Sequence, residues 1–235
     1  MKTVGLLGGM SWESSIEYYK IINQEVRREL GGVHSAKIVM VSLDFAEIED
    51  LQMKGDWEEA GRILARSASE LEDAGADFIL ICTNTMHLLA DKVSSAVSVP
   101  LLHIADATAR AIKGQKLQAV GLLGTSFTME EAFYKERLEK RHQLKVMIPD
   151  KDQRALVHNV IYEELVQGRI LDGSRTSYLE VISSLVESGA EGIILGCTEI
   201  GLLISQEDVP VPVFDTMEIH ARAAVEAAFD RFVFS

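Results

Sequence analysis

The 235-residue sequence holds only two cysteines and four prolines, and aromatic residues make up just 6% of it. Two cysteines, Cys82 and Cys197, cannot build the disulfide framework on which small secreted domains depend. No apolar stretch approaches the roughly 20 residues of a membrane-spanning helix. The opening segment, Met1–Gly9, reads as a strand and turn rather than as the apolar region of a signal peptide. Basic residues are the minority: 23 Lys and Arg stand against 36 Asp and Glu, a formal net charge of −13. Such a field repels nucleic acid and anionic lipid, and an anionic substrate needs a local pocket rich in amide donors. The expectation is a cytoplasmic protein with reduced thiols and with neither nucleic-acid nor membrane partners. What is present in quantity is apolar: 47% of residues are hydrophobic and 25% charged, ample for one large domain or two small ones.

Eight short apolar runs punctuate the chain: Thr3–Leu7, Lys37–Val41, Phe78–Ile81, Leu101–His103, Ala119–Leu123, Leu144–Ile148, Gly192–Leu195 and Val211–Phe214. They show little polar alternation, as expected of strands covered on both faces in a parallel sheet. Helical patterns separate them, at Glu13–Leu30, Trp57–Asp73, Asp106–Lys113, Glu130–Arg141, Gln153–Val166, Ser174–Ser188 and Met217–Phe229. The fold class is therefore α/β, with mainly parallel sheets flanked by helices.

The chain also repeats itself. Val4-Gly5-Leu6-Leu7-Gly8 recurs at Val120–Gly124, an offset of 116. Gly75–Leu80 recurs at Gly189–Ile194, an offset of 114, and Val99–Leu102 at Val211–Phe214, an offset of 112. Three matches in one order predict two similar halves, residues 1–100 with 214–235 and residues 101–213. Carried forward without a gap, the middle repeat sets Cys82 opposite Gly196 and Thr83 opposite Cys197. Each position lies just past a strand, at the carboxyl end where open α/β sheets bind ligands. The following residues, Asn84, Thr85, Thr198 and Glu199, open helix-like stretches whose free amides suit a carboxylate. The turns containing Met10, Ser11 and Thr125 offer further donors.

Other signals are weaker. Gly5–Gly9 lacks the dinucleotide-binding spacing, and no phosphate-loop lysine follows it. Cys82 and His87 have no second ligand pair, so no metal is expected. His34 and His142 read as surface residues. His87 and His103, at strand ends, suit either orienting a turn or chemistry. Glu47, Glu49, Asp50 and the 130–141 run read as solvated faces.

Gly5–Ser14, Cys82-Thr83-Asn84-Thr85-Met86-His87, Leu102–Asp106 and Gly196-Cys197-Thr198-Glu199-Ile200 together resemble the aspartate/glutamate racemase superfamily, and within it the broad-specificity amino-acid racemase branch. The resemblance spans essentially the whole chain. It implies two pseudo-twofold-related α/β domains, an active site in the cleft between them, a homodimer, and racemisation of a small amino acid without pyridoxal phosphate or another cofactor. It also implies two acid/base groups flanking Cα, one from each half and usually both cysteines. Here the first falls on Thr83, so Cys197 is expected to take the proton from the L-amino acid and Thr83 to return one on the D face, with L to D kinetically favoured. Aspartate racemases of the family tend to carry a lysine near Val166; its absence here loosens the link to an acidic side chain and admits homoserine-like substrates beside aspartate and glutamate. Gln52 and Lys54, read as a loop after the second strand, are candidates for side-chain contact. Alternatives within the superfamily are a hydantoin racemase, a maleate-type isomerase or a malonate decarboxylase. Outside catalysis, the alternative is a small-ligand binding protein.

Overall fold

Eight strands form two four-stranded sheets in the computed structural model, which describes residues 1–234. In the first sheet β1 (Val4–Gly8) lies between β2 (Ile38–Ser42) and β3 (Phe78–Ile81), and β4 (Leu101–Leu102) pairs with β3. In the second, β5 (Ala119–Gly124) lies between β6 (Lys145–Met147) and β7 (Ile193–Gly196), and β8 (Val213–Asp215) pairs with β7. Every pairing is parallel. The orders β2-β1-β3-β4 and β6-β5-β7-β8 are the same pattern written twice. The central strands β1, β3 and β7 are buried along their whole length. That burial is why they read as unbroken apolar runs rather than as alternating ones.

The repeat survives at the level of single residues. Leu6 pairs with Leu80 in the first sheet, and Leu122 with Ile194 in the second. Leu80 pairs with Leu102, and Ile194 with Phe214. These are the positions that the sequence offsets match, so the two sheets share one register as well as one strand order.

The helices are α1 (Trp12–Leu30), α2 (Phe45–Lys54), α3 (Trp57–Asp73), α4 (Ala90–Ser95), α5 (Ile104–Gly114), α6 (Ser126–Glu130), α7 (Ala132–Glu136), α8 (Lys151–Glu163), α9 (Asp172–Glu187) and α10 (Thr216–Ala228). Local chemistry sets their ends. Ser11, Asp44, Asp56 and Asp150 each accept a main-chain N–H of the first turn, and Gly55 closes α2 in the left-handed conformation. Expectation and structure differ at several points along the chain. The segment holding Gln52 and Lys54 is helix α2, not a loop. The 130–141 run is not one helix: α6 ends at Glu130, Glu131 adopts an extended conformation, and α7 then leads into a π-helical turn at Arg137–Arg141. The helix-like stretches after Thr83 and Cys197 are 3-10 turns, Thr85–Leu89, which runs on into α4, and Ile200–Leu202.

The chain divides into two units, Met1–Ile104 with the segment from His220 onward, and Ala105–Ile219. The crossings fall at 104/105 and 219/220 rather than at 100/101 and 213/214. The chain leaves β4 and β8 almost directly into α5 and α10, so no linker composition marks the change. In the first unit Leu7, Met10, Ile48, Leu64, Ile79, Ile81 and Met86 belong to one apolar cluster beside the carboxyl ends of β1 and β3. In the second unit Asp106 receives a two-pronged ion pair from Arg137, both contacts 2.7 Å, and a third contact from His142 at 2.7 Å. Burial works to raise the Asp106 carboxyl, but these partners outweigh it and hold it below the ordinary aspartate range. His142 is thus half-buried in a structural network, not a free surface residue. Among the described residues no helix is long and apolar enough to cross a membrane.

Candidate active site

In the first unit the turn after β1 is held from behind by Ser15. Its hydroxyl accepts the Gly9 N–H at 2.8 Å and donates to the Ser11 carbonyl at 2.8 Å. Gly9 sits at φ +90, and a Cβ there would stand 2.2 Å from the Leu43 carbonyl oxygen, so the turn tolerates no side chain at that point. The Ser11 hydroxyl caps α1, accepting Ser14 N–H at 3.4 Å, and Met10 packs into the apolar cluster. The turn after β3 carries the remaining candidates of this unit. Cys82 is fully buried, its N–H bonded to the Leu7 carbonyl at 2.9 Å, and burial drives its thiol far above the usual range. Thr83, the next residue, is half-buried, while Asn84 and Thr85 are buried. Gln52 is buried too, its Nε2 2.9 Å from the Met86 sulfur, so α2 reaches the same turn. Lys54 is exposed and paired with Asp50. His87, one helical turn past Thr83, has Nδ1 2.7 Å from the Thr83 carbonyl oxygen, and its Nε2 accepts the Ile104 N–H at 3.2 Å.

The second unit repeats the plan with different chemistry. Thr125 follows β5 and caps α6, its hydroxyl accepting Thr128 N–H at 3.3 Å. His158 Nδ1 accepts the Ser126 N–H of the same turn at 3.2 Å. After β7, the half-buried Cys197 donates its thiol proton to Glu199 Oε2 at 3.0 Å, and Thr198 donates its hydroxyl to the same oxygen at 2.8 Å. Thr198 and Glu199 are buried. Burial first, then the Glu199 charge and its hydrogen bond, pushes the Cys197 thiol well above its ordinary range. The resting group is therefore a neutral thiol with a carboxylate beside it. Ionising it by loss of the proton to solvent would set two anions side by side; transfer to Glu199 conserves charge.

Thr83 and Cys197 occupy equivalent places in the two registers: Thr83 lies two residues beyond Ile81, the partner of Leu7, and Cys197 two residues beyond Leu195, the partner of Leu123. The first unit brings together Gln52, Met86 and the Thr83–Thr85 turn; the second brings together Cys197, Thr198 and Glu199. Three contributors escaped sequence reasoning or were left open by it: Ser15, His158 and His87. Only His87 carried a local signal, its four-residue spacing from Thr83. Among the described residues no group of three or more His, Cys, Asp or Glu side chains could hold a metal ion.

This geometry sits on a chain whose residues 7–224 match the Asp/Glu/Hydantoin racemase family. The chain belongs to that family. It is 27% identical over 170 residues to the broad specificity amino-acid racemase RacX of Bacillus subtilis (strain 168), covering 72% of this chain and 73% of that one. Its fold superimposes with a TM-score of 0.93 on a Yersinia pestis protein described as a candidate Asp/Glu racemase, 54% identical over 97% of this chain and 100% of that one. An aspartate racemase homologue from Pyrococcus horikoshii OT3 gives a TM-score of 0.85 at 36% identity, again with 97% and 100% coverage.

Proposed function

We propose that this protein racemises a small amino acid, using Cys197 and Thr83 on opposite faces of Cα and no pyridoxal phosphate. The observation that carries the reading is the thiol of Cys197 hydrogen-bonded at 3.0 Å to a buried carboxylate, at the position whose counterpart in the other register is a hydroxyl. The Cys197 S–H proton passes to Glu199, leaving a thiolate beside a neutral carboxyl. The thiolate takes the Cα proton of the L-amino acid, forming S–H as C–H breaks. Thr83 gives its hydroxyl proton to the opposite face, forming the new C–H bond, and its alkoxide takes a proton from water; the hydroxide so formed takes the proton from Glu199, restoring the thiol beside a carboxylate. A hydroxyl donates readily to a carbanion but is a poor base, so D to L starts more slowly than L to D. At equal end-point concentrations kcat/KM must match in the two directions, so the asymmetry falls on kcat and KM together.

Asn84, Thr85, Thr125 and Thr198, with the turn at Met10 and Ser11, are assigned to the substrate's carboxylate and ammonium, and Gln52 to its side chain. The named relatives support amino acids as the substrate class. Position 166 is valine, so homoserine stands beside aspartate and glutamate as a candidate. A working thiol requires a reducing compartment, which supports a cytoplasmic location. Trp12, Ile16 and Tyr19 lie exposed at spacings that share one face of α1, which supports a homodimer.

The test is proton exchange at Cα in D2O, followed by NMR across L- and D-amino acids, with Cys197→Ala as control. Racemisation predicts loss of the α-proton signal, inversion with no change of mass beyond the deuterium gained, and at least a roughly 100-fold loss in the alanine variant, the scale of a missing general base. A product that has lost carbon dioxide points instead to a decarboxylase of the same superfamily, and turnover of maleate without change of formula to an isomerase. An alanine variant of nearly full activity removes Cys197 from the mechanism.

A further inference from the structure

We infer that His87 is a positioning residue, which as a neutral imidazole protonated on Nδ1 holds the Thr83 turn in its working shape. A carbonyl oxygen only accepts, so the 2.7 Å contact from Nδ1 to the Thr83 oxygen puts the ring proton on Nδ1. Nε2 then carries a lone pair and takes the Ile104 N–H at 3.2 Å. One buried, uncharged ring thus ties the turn after β3 to the first residue of α5. Its neighbours hold it in place. His103 stacks at a tilt with centroids 4.5 Å apart, and His220 lies edge-on at 5.8 Å. His220 is oriented in turn, its Nε2 donating to the Leu102 carbonyl at 2.8 Å and its Nδ1 accepting the Tyr18 hydroxyl at 2.9 Å.

The second unit solves the same position differently. The register counterpart of His87 is Gly201, where a Cβ would stand 2.3 Å from an oxygen of Asp215, the counterpart of His103. The imidazole tie is therefore found in the half that offers a hydroxyl and not in the half that offers a thiol. The difference has a physical rationale. A small, weakly acidic hydroxyl must reach hydrogen-bond distance of its target to transfer a proton, and misplacement of a reacting group by about 1 Å costs on the order of 100-fold.

This inference rests on the proposed role of Thr83, so the experiment includes Thr83→Ala. His87→Asn keeps a nitrogen donor on Cγ, where Nδ1 stands, and gives up the acceptor for Ile104. His87→Gln can accept from Ile104 but withdraws the donor from Thr83. Exchange and inversion are measured on L- and D-glutamate, aspartate and homoserine, with thermal melting as a control for folding. Imidazole ¹⁵N shifts are recorded on the wild-type protein at neutral pH. We expect kcat for His87→Gln to fall about 10- to 100-fold with KM little changed, His87→Asn to stay near wild type, and the His87 ring to show the Nδ1–H tautomer. Equal losses in Asn and Gln, or full activity in Gln while Thr83→Ala is damaged, overturn the role of His87. So does an Nε2–H or doubly protonated ring, even if none of the three amino acids reacts. A silent Thr83→Ala overturns instead the reading on which the inference rests.

Discussion

Replacing Glu199 by glutamine separates the electrostatics of Cys197 from its chemistry. The carboxylate oxygen lies 3.0 Å from the thiol sulfur, and both residues sit in the same turn after β7. If the thiol ionises with its proton lost to solvent, two unit charges at that distance repel by about 5 kcal/mol at an effective dielectric near 20, and by about half of that at twice the screening. Cys197 is half-buried, so the smaller figure is the appropriate one. Glutamine removes this repulsion and can donate to the thiolate, so more thiolate is present at any pH below the raised native value. A less basic thiolate is also a weaker nucleophile, with a slope of about 0.4–0.5, so roughly half of the energy survives in a reaction rate. The expected outcome is alkylation of Cys197 by iodoacetamide at pH 7–8 on the order of tenfold faster in Glu199→Gln. Mass spectrometry of the 197 peptide reads it, and the fully buried Cys82 serves as an internal control for unfolding. Racemisation should move the other way, falling because the thiol proton has lost its acceptor. Alkylation that is unchanged or slower would refute the electrostatic reasoning. Faster racemisation would show that Glu199 only suppresses the thiolate and does not accept its proton.

Thr83→Cys should raise the D to L turnover selectively, and Cys82→Ser should leave both directions near wild type; initial rates in both directions decide, and a dead Cys82→Ser with an active Thr83→Ala would move the second base to Cys82. Gly9→Ala should destabilise the first unit by several kcal/mol, about 1–3 from backbone strain at φ +90 and the rest from the clash with Leu43, read as a lowered urea midpoint. Asp106 has a depressed native pKa, so its stabilisation is complete above the unfolded aspartate value of about 3.9 and is lost as the pH falls through the native one. The gap in urea midpoint between wild type and Asp106→Asn should therefore be wide at pH 6 and narrow towards pH 3; a gap that widens on acidification contradicts the assignment.

How much of this was legible in the chain can be said residue by residue. The eight strands were, because a strand covered on both faces must be apolar throughout, and Val4–Gly8 or Phe78–Ile81 cannot disguise it. The duplication was legible as well: offsets of 116, 114 and 112 reappear as the shared pairings of Leu6 with Leu80 and Leu122 with Ile194, and the same arithmetic sets Thr83 against Cys197. Helix α2 was not, because a ten-residue helix with only Ile48 and Gln52 buried leaves too thin a periodic stripe to separate it from a loop. The contacts that give each candidate group its character were also out of reach. Asp106 meets Arg137 and His142 across 31 and 36 residues, and the Ile104 N–H meets His87 across 17. The Cys197–Glu199 bond spans only two residues, yet it depends on an irregular turn: a regular strand would hold i and i+2 on one face but about 6.6 Å apart and send Thr198, which shares the carboxylate, to the other face. Sequence periodicity encodes what repeats, namely strands, register and the duplicated half. Proton positions and local fields depend on single distances between particular atoms, and folding alone sets those.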